Sequence, residues 1–152
     1  MVRRKKTVPA PLPPTTSDPE VVAYALLEDW LSPEQLEEFR AHHWFHVTGN
    51  ITSTRYRIRD YTTLKQHAWY NIDVIESDGT LTTRLCFGPS RTIMEQALPT
   101  GDVLLTQKIA LEHDEAETLR IANVAPFRVD GTPEMYTPPD VMPNNDYVYN
   151  TD

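Results

Sequence analysis

The chain has 152 residues, a formal net charge of −8 and a single cysteine. This length fits one domain, and one cysteine excludes an internal disulfide framework. The acidic balance argues against a dedicated nucleic-acid coat protein, and no apolar run approaches the roughly 20 residues that a membrane span needs.

Residues 1–17 are predicted to form an N-terminal arm that is basic and then rich in proline. Its candidate partner-binding residues are Arg3, Arg4, Lys5, Lys6 and Leu12. Such a segment buries too little apolar surface to offset its backbone entropy, about 1–2 kcal/mol per residue. We therefore expect an extended arm that a partner surface orders. No apolar segment follows the basic residues, so we expect no secretory signal.

Two helices are predicted after this arm. Asp18 and Pro19 suit an N-cap and a first helical position, and the helix should continue to Leu31. Its buried face should draw on Val21, Tyr24, Leu27, Trp30 and Leu31. Ser32 and Gln35 have the spacing of a capping box for a second helix, with its apolar face at Leu36, Phe39 and His43.

The hydrophobic period then changes to strict alternation, which predicts a four-stranded antiparallel meander with one wet face. The predicted strands are Trp44–Thr48, Thr54–Arg59, Ala68–Val74 and Leu81–Phe87. A hairpin turn containing Gly79 joins the third and fourth strands. In the second strand, Tyr56 and Ile58 should point inward.

A long helical segment is predicted after the turn at Leu98–Asp102, and it should pack across the sheet. A capping signal at Asp114 predicts a break near His113 and a second helix that ends at Asn123. We therefore expect an α+β core domain over residues 18–125. Residues 126–152 should form a proline-rich, extended C-terminal tail with candidate anchors at Tyr136, Tyr147 and Tyr149.

Arg55, Arg57 and Arg59 are the most prominent candidates for binding on the predicted sheet. They would stand about 7 Å apart on its outer face, where Arg84 could join them and Asp73 could neutralise part of their charge. This pattern fits a solvated sheet face, a surface that binds an acidic protein, or a grip on phosphates.

Three histidines, His42, His43 and His46, form the densest imidazole cluster. Zinc needs three or four converging nitrogen or sulfur ligands, and neither Cys86 nor His67 has the spacing of a zinc motif. We therefore favour a helix end with polar and aromatic packing, and expect no metal or other cofactor.

Four acidic residues crowd the predicted helix junction: Glu112, Asp114, Glu115 and Glu117. A general-acid or divalent-metal site would hold such carboxylates in a desolvated cleft. The same residues also fit a junction of two helices with its caps. No nucleophile elbow, P-loop, dinucleotide or zinc-protease motif is present, so we expect a protein that is not an enzyme.

Several segments between Arg55 and Asn123 resemble a family of small proteins from tailed bacteriophages and some bacteria. They are Arg55-Tyr56-Arg57-Ile58, Asn71-Ile72, Leu85 to Pro89, Leu98 to Glu115, and Leu119 to Asn123, and the stretch from Gln107 to Asn123 is the most specific. That family shares a Tyr-Arg-Ile strand, an Asn-Val strand, a Cys-x-His-Pro step and a Gln-Lys-x-x-Leu-Glu-x-Asp-Glu helix that ends in Ala-Asn. Gly88 stands where the histidine of that step would be, which weakens a metal role for Cys86. The resemblance implies a phage-type origin and no particular chemistry.

We therefore predict a non-enzymatic structural or assembly protein, a capsid or tail accessory component of a phage virion, located in the virion or the host cytoplasm. Its partners would be protein subunits, including further copies of itself, and not a membrane. The basic tip would join acidic neighbours, while Leu12 and the tail tyrosines would fill partner grooves. The alternative is a small intracellular regulatory or nucleic-acid-binding protein that uses Arg3–Lys6 and the arginines of the second strand.

Overall fold

The computed structural model describes residues 18–64, 70–88 and 98–137. Within these ranges it confirms the predicted α+β class, with helices packed on an antiparallel sheet. The helices are α1 (Pro19–Trp30), α2 (Pro33–His42), α3 (Thr100–His113) and α4 (Glu115–Ile121), and a short 3-10 turn spans Tyr61–Thr63. The strands are β1 (Trp44–Thr48), β2 (Arg55–Arg59), β3 (Ile72–Ile75), β4 (Thr80–Cys86), β5 (Asn123–Pro126) and β6 (Glu134–Met135).

Both N-terminal helices begin at the predicted caps. The Asp18 carboxylate accepts a hydrogen bond from the Glu20 amide at 3.0 Å. Ser32 and Gln35 form the reciprocal capping box, with distances of 3.2 Å and 3.0 Å. His43 ends α2 in the left-handed conformation, with φ of 60°, so the chain turns directly into β1.

The sheet has the strand order β1-β2-β3-β4-β5, and β6 also pairs with β4. The register between β3 and β4 shifts between Val74 and Ile75, so that Ile75 pairs with Leu81. Ile75 lies on the same face as Asp73 by ordinary alternation, and the extra residue in β4 turns Leu81 to that face as well. Ile75 and Leu81 therefore lie in a cluster of their own with Phe127, separate from the main core.

The main core lies between the helices and one face of the sheet. Its buried members include Leu27, Phe39, Phe45, Ile58 and Leu104.

Helix α3 supports α1 at a very close crossing. A Cβ atom added at Gly101 would overlap the backbone of Ala23, so only glycine permits this approach. The contact sets the rotation of α1: Leu27 and Leu31 point into the core, whereas Val21 and Trp30, which were predicted to be buried, are exposed.

The C-terminal boundary of the domain also differs from the sequence prediction. Helix α4 ends at Ile121 instead of Asn123, and the chain then adds β5 and β6 to the sheet. Phe127 is buried, and its amide donates to the carbonyl of Thr82 at 2.9 Å. The core therefore extends past Ala125. The prolines of this segment favour an extended tail over a strand. Pro126 is nevertheless accommodated, because it lies at the end of an edge strand, where a missing N–H is tolerated.

We expect Phe127→Ala to lower the free energy of unfolding by about 3–5 kcal/mol, since the deleted ring leaves a cavity in a buried cluster. Val129→Ala is the matched control, because Val129 is 78% exposed and such changes shift stability by about 0.5 kcal/mol or less. Urea unfolding of both variants measures the difference. Equal midpoints would show that the segment after Pro126 is not part of the core.

Candidate protein-binding surface

Helix α1 presents a broad apolar surface to solvent. Val21, Val22, Leu26 and Trp30 are between 43% and 58% exposed. Residues 22, 26 and 30 are four positions apart and so share one side of the helix. Ala25 and Asp29 lie among them and are also exposed. We call these six residues the α1 outer face.

The opposite side of α1 is apolar as well, because Ala23, Leu27 and Leu31 are buried. Contiguous exposed apolar patches mark interaction sites. The hydrophobic pattern did not reveal this surface, because it places Val21 and Trp30 in the core. The signal was present, since α1 carries more apolar residues than one buried face can hold.

Polar contacts hold α1 in place beneath this surface. The Glu20 carboxylate accepts a hydrogen bond from the Thr100 amide at 3.1 Å, and the Tyr24 hydroxyl donates to Asp60 at 2.7 Å. Desolvation and the Asp60 carboxylate raise the pKa of Tyr24 to about 12. The outer face is therefore presented on a helix that is fixed by packing and by hydrogen bonds.

The arginine ladder does not form the exposed surface that the sequence predicted. Arg55 is exposed, but Arg57 and Arg59 are buried. Both guanidinium groups bind Oδ2 of Asp73, from Arg57 Nε at 2.9 Å and from Arg59 Nε at 2.6 Å. The Asp73 side chain has no exposed surface. Of the three arginines, only Arg55 thus has the exposure that a partner or a phosphate requires.

Aromatic side chains cover the buried arginines. The Arg57 guanidinium lies 5.5 Å from the centre of the Trp44 ring and 5.4 Å from that of Tyr136. Arg84 lies 4.6 Å from the centre of the Phe127 ring. Strand alternation placed the arginines on a common face correctly, but alternation cannot show that a later segment covers that face.

Tyr136, predicted as an anchor for a partner, contacts the sheet of its own chain. Its hydroxyl lies 2.7 Å from Nε2 of His46, and Nδ1 of His46 lies 2.7 Å from a carboxylate oxygen of Glu38. Burial raises the pKa of Glu38, but its hydrogen bonds with His46 outweigh this effect and lower that pKa. Both ring nitrogens of His46 are thus engaged within the chain.

The three clustered histidines do not converge on one point. His42 stacks on Trp44 with ring centres 4.8 Å apart, whereas His43 ends α2. Within the ranges that the structure describes, no group of three or more His, Cys, Asp or Glu side chains could hold a metal ion. Burial raises the pKa of the Cys86 thiol, and His67 lies outside the described residues.

The four acidic residues at the helix junction have different positions and partners. The predicted break between α3 and α4 is confirmed, with Asp114 between the two helices. Glu112 forms an ion pair with Lys108 and accepts a hydrogen bond from Gln35 at 3.0 Å. Glu115 is the one acidic residue of the cluster with no exposed surface.

Glu115 holds the loop between β1 and β2. Its carboxylate accepts hydrogen bonds from the amides of Ile51 and Thr52 at 2.8 Å each, from the Tyr56 hydroxyl at 2.6 Å, and from the Thr52 hydroxyl. A Cβ atom added at Gly49 would overlap this carboxylate. Desolvation raises the pKa of Glu115, but these hydrogen bonds outweigh it and lower the pKa to about 2. A carboxylate so fully occupied stabilises the loop.

The remaining candidate residues lie outside the described residues. They are Arg3–Lys6, Leu12, Tyr147 and Tyr149.

Comparison of the chain with protein-family models, curated proteins and solved structures found no match. No helix in the described ranges combines the length and apolarity that crossing a membrane requires.

We expect Asp73→Asn to lower the free energy of unfolding by about 3–5 kcal/mol, because it removes the carboxylate that two buried guanidinium groups share. Arg55→Gln is the control on the same strand and should change stability by less than about 1 kcal/mol, since exposed charges contribute little. Denaturant titration of each variant gives both values. If the two substitutions had equally small effects, Asp73 would not be the centre of a buried ion cluster.

The stability of the protein at acid pH should depend on Glu115. The folded pKa, about 2, lies below the ordinary value of 4.5. The unfolded chain therefore takes up the proton first, and the stabilisation present above pH 5 should be lost as the pH falls towards 2. Glu115→Gln should lower stability at pH 7 by about 1–3 kcal/mol and flatten the acid limb of the profile.

Glu117→Gln is the control for this experiment, since Glu117 is exposed and pairs only with Arg120 within the described part of the chain. Thermal midpoints measured from pH 7 to pH 2.5 compare the three proteins. An acid limb that is equally steep in Glu115→Gln and in the parent chain would overturn the assignment.

Proposed function

We propose that this protein is a non-enzymatic assembly protein that binds neighbouring protein subunits through the α1 outer face. The observation that carries the proposal is the exposure of Val22, Leu26 and Trp30 on one side of a helix whose other side is already buried. An exposed tryptophan at the end of an apolar stripe is a typical binding anchor, because tryptophan is enriched among the residues that dominate interface energies.

The rest of the described surface favours binding over catalysis. The carboxylate of Glu115 and the ring of His46, two groups that could serve in acid–base chemistry, are occupied by contacts within the chain. The buried arginines are engaged by Asp73 and covered by aromatic rings. The α1 outer face is one apolar surface that the internal packing leaves exposed for a partner.

The sequence resemblance suggests a phage virion as the larger assembly, and we propose that setting on the resemblance alone. The alternative function, nucleic-acid binding through Arg3–Lys6 and the arginines of β2, has less support on the described surface, because Arg57 and Arg59 are buried and Arg3–Lys6 lie outside the described residues. Arg55 by itself offers one positive charge, whereas sequence-independent binding to nucleic acid draws on many phosphate contacts.

A photo-crosslinking amino acid at Val22 of the full-length chain tests the proposal in the cells that naturally make the protein. We expect a discrete covalent adduct with a protein subunit. A second substitution, Leu26→Lys, should reduce the adduct at least tenfold, because the interface would then bury an unpaired ammonium group in place of an apolar side chain. Leu26 is 43% exposed, so the thermal midpoint of the isolated protein should change little.

Glu37→Gln is the matched control, since Glu37 is an exposed residue of the neighbouring helix α2. That change should leave both the adduct and its yield intact. An absent adduct, or an adduct that Leu26→Lys leaves unchanged, would overturn the proposed binding role of α1. Mass spectrometry of the adduct identifies the subunit.

A further inference from the structure

We infer that the α1 outer face binds the basic N-terminal arm, residues 1–17, of a second copy of this chain. The inference rests on the proposed function, because it names the partner of the same surface. Three observations support it: the distribution of charge along the chain, the chemistry of the face, and the reach of the arm.

Charge is sharply divided between the arm and the rest of the chain. Residues 1–17 contain Arg3, Arg4, Lys5 and Lys6 and no acidic side chain, whereas residues 18–152 hold all 22 acidic side chains and only ten of the 14 basic ones. The formal charges are thus +4 and −12. Opposite charges of this size favour association between arm and domain and accelerate their encounter.

The basic residues of the domain are largely used within it. Their ion pairs join Arg40 to Glu28, Arg57 and Arg59 to Asp73, Lys108 to Glu112, Arg120 to Glu117, and Arg128 to Asp130 and Glu134. In an assembly of identical chains, the cluster at Arg3–Lys6 is therefore the natural source of cations for the acidic surface of a neighbour.

The α1 outer face offers suitable contacts for such an arm. Asp29 places one carboxylate among the exposed apolar side chains, and the adjacent Trp30 ring is 58% exposed. A guanidinium or ammonium group can pair with the carboxylate and lie over the indole, where a cation–π contact contributes about 0.5–2 kcal/mol. Val8 and Leu12 of the arm supply apolar side chains for Val22 and Leu26. Helix α1 itself contains no basic residue.

The length of the arm permits a second copy as the partner. Fifteen residue steps separate Arg3 from Asp18, and a chain of that length can span at most about 50 Å. Helix α1 has 12 residues and is therefore only about 18 Å long. The arm is thus long enough for its basic residues to reach the α1 outer face of a neighbour.

The C-terminal tail is a poorer occupant on the same grounds. Residues 138–152 contain three aspartates and no basic residue, so they would add negative charge next to Asp29. Tyr147 and Tyr149 remain candidate anchors for a different surface.

Each copy would then donate one arm and accept another, which is a head-to-tail contact. Contacts of this kind propagate into rings or open chains unless one side is missing.

Complementation between two full-length variants tests the inference by sedimentation velocity. One variant carries Leu26→Lys, which places a positive charge on the α1 outer face and so repels a basic arm, and keeps its own arm. The other carries Arg3→Gln, Arg4→Gln, Lys5→Gln and Lys6→Gln and keeps its α1 outer face. We expect the parent chain to self-associate and each variant alone to associate at least tenfold more weakly. Their equimolar mixture should form a dimer that contains one copy of each variant, and no larger species.

The control replaces three exposed arginines elsewhere, Arg55, Arg120 and Arg128, with glutamine, and it should associate like the parent chain. Because the arm is basic and the rest of the chain is acidic, high salt should weaken association of the parent chain. Association of the arm variant equal to that of the parent, or a mixture that stays monomeric, would overturn the inference.

These outcomes separate the inference from the proposed function. If the cross-linked adduct from Val22 forms, depends on Leu26 and contains a different protein, the α1 outer face binds a partner and the arm inference is wrong. If the adduct contains this chain but the arm variant still self-associates, another segment of the second copy is the ligand, and the arm inference is again wrong. If no adduct forms, the proposed function itself is wrong.

Discussion

The buried carboxylate of Asp73 is the constraint on which the second side of the sheet depends. It binds the guanidinium groups of both Arg57 and Arg59, and neither charge type is stable in an apolar interior without the other. Because Asp73 lies on β3 and the arginines lie on β2, the ion cluster also joins these central strands by their side chains. The residues that pack on this face of the sheet must therefore exclude water and also make favourable contacts with the two guanidinium groups.

The chain after β5 provides that cover with aromatic rings, one before β6 and one directly after it. Phe127 lies beside Arg84 and Arg59, and Tyr136 lies beside Arg57. The negative face of an aromatic ring attracts a cation while its carbon surface displaces water. Tyr136 is in turn held by His46 and Glu38. The domain therefore has three layers, in which helices cover one face of the sheet and the C-terminal segment covers part of the other.

Local signals predicted the fold well, because helix caps and strand alternation depend on neighbouring residues. Ser32 with Gln35, and the break at Asp114, lie where the sequence placed them. The errors concern contacts between distant segments. The burial of Arg57 depends on Tyr136, which lies far along the chain, and the orientation of Val21 and Trp30 depends on Gly101 meeting Ala23. A hydrophobic pattern shows which residues share a side, but the packing of remote elements decides which side is covered.

The same packing explains why the candidate surface lies on α1. The close crossing at Gly101 buries Ala23, a small residue of α1, and Leu27 and Leu31 are buried beside it. A larger residue at either contact would separate the helices, since a well-packed interior has no room for extra atoms. The apolar residues on the remaining side then have no place within the domain. The α1 outer face is thus a consequence of how α1 and α3 pack, because the crossing that buries Ala23 leaves Val22, Leu26 and Trp30 exposed.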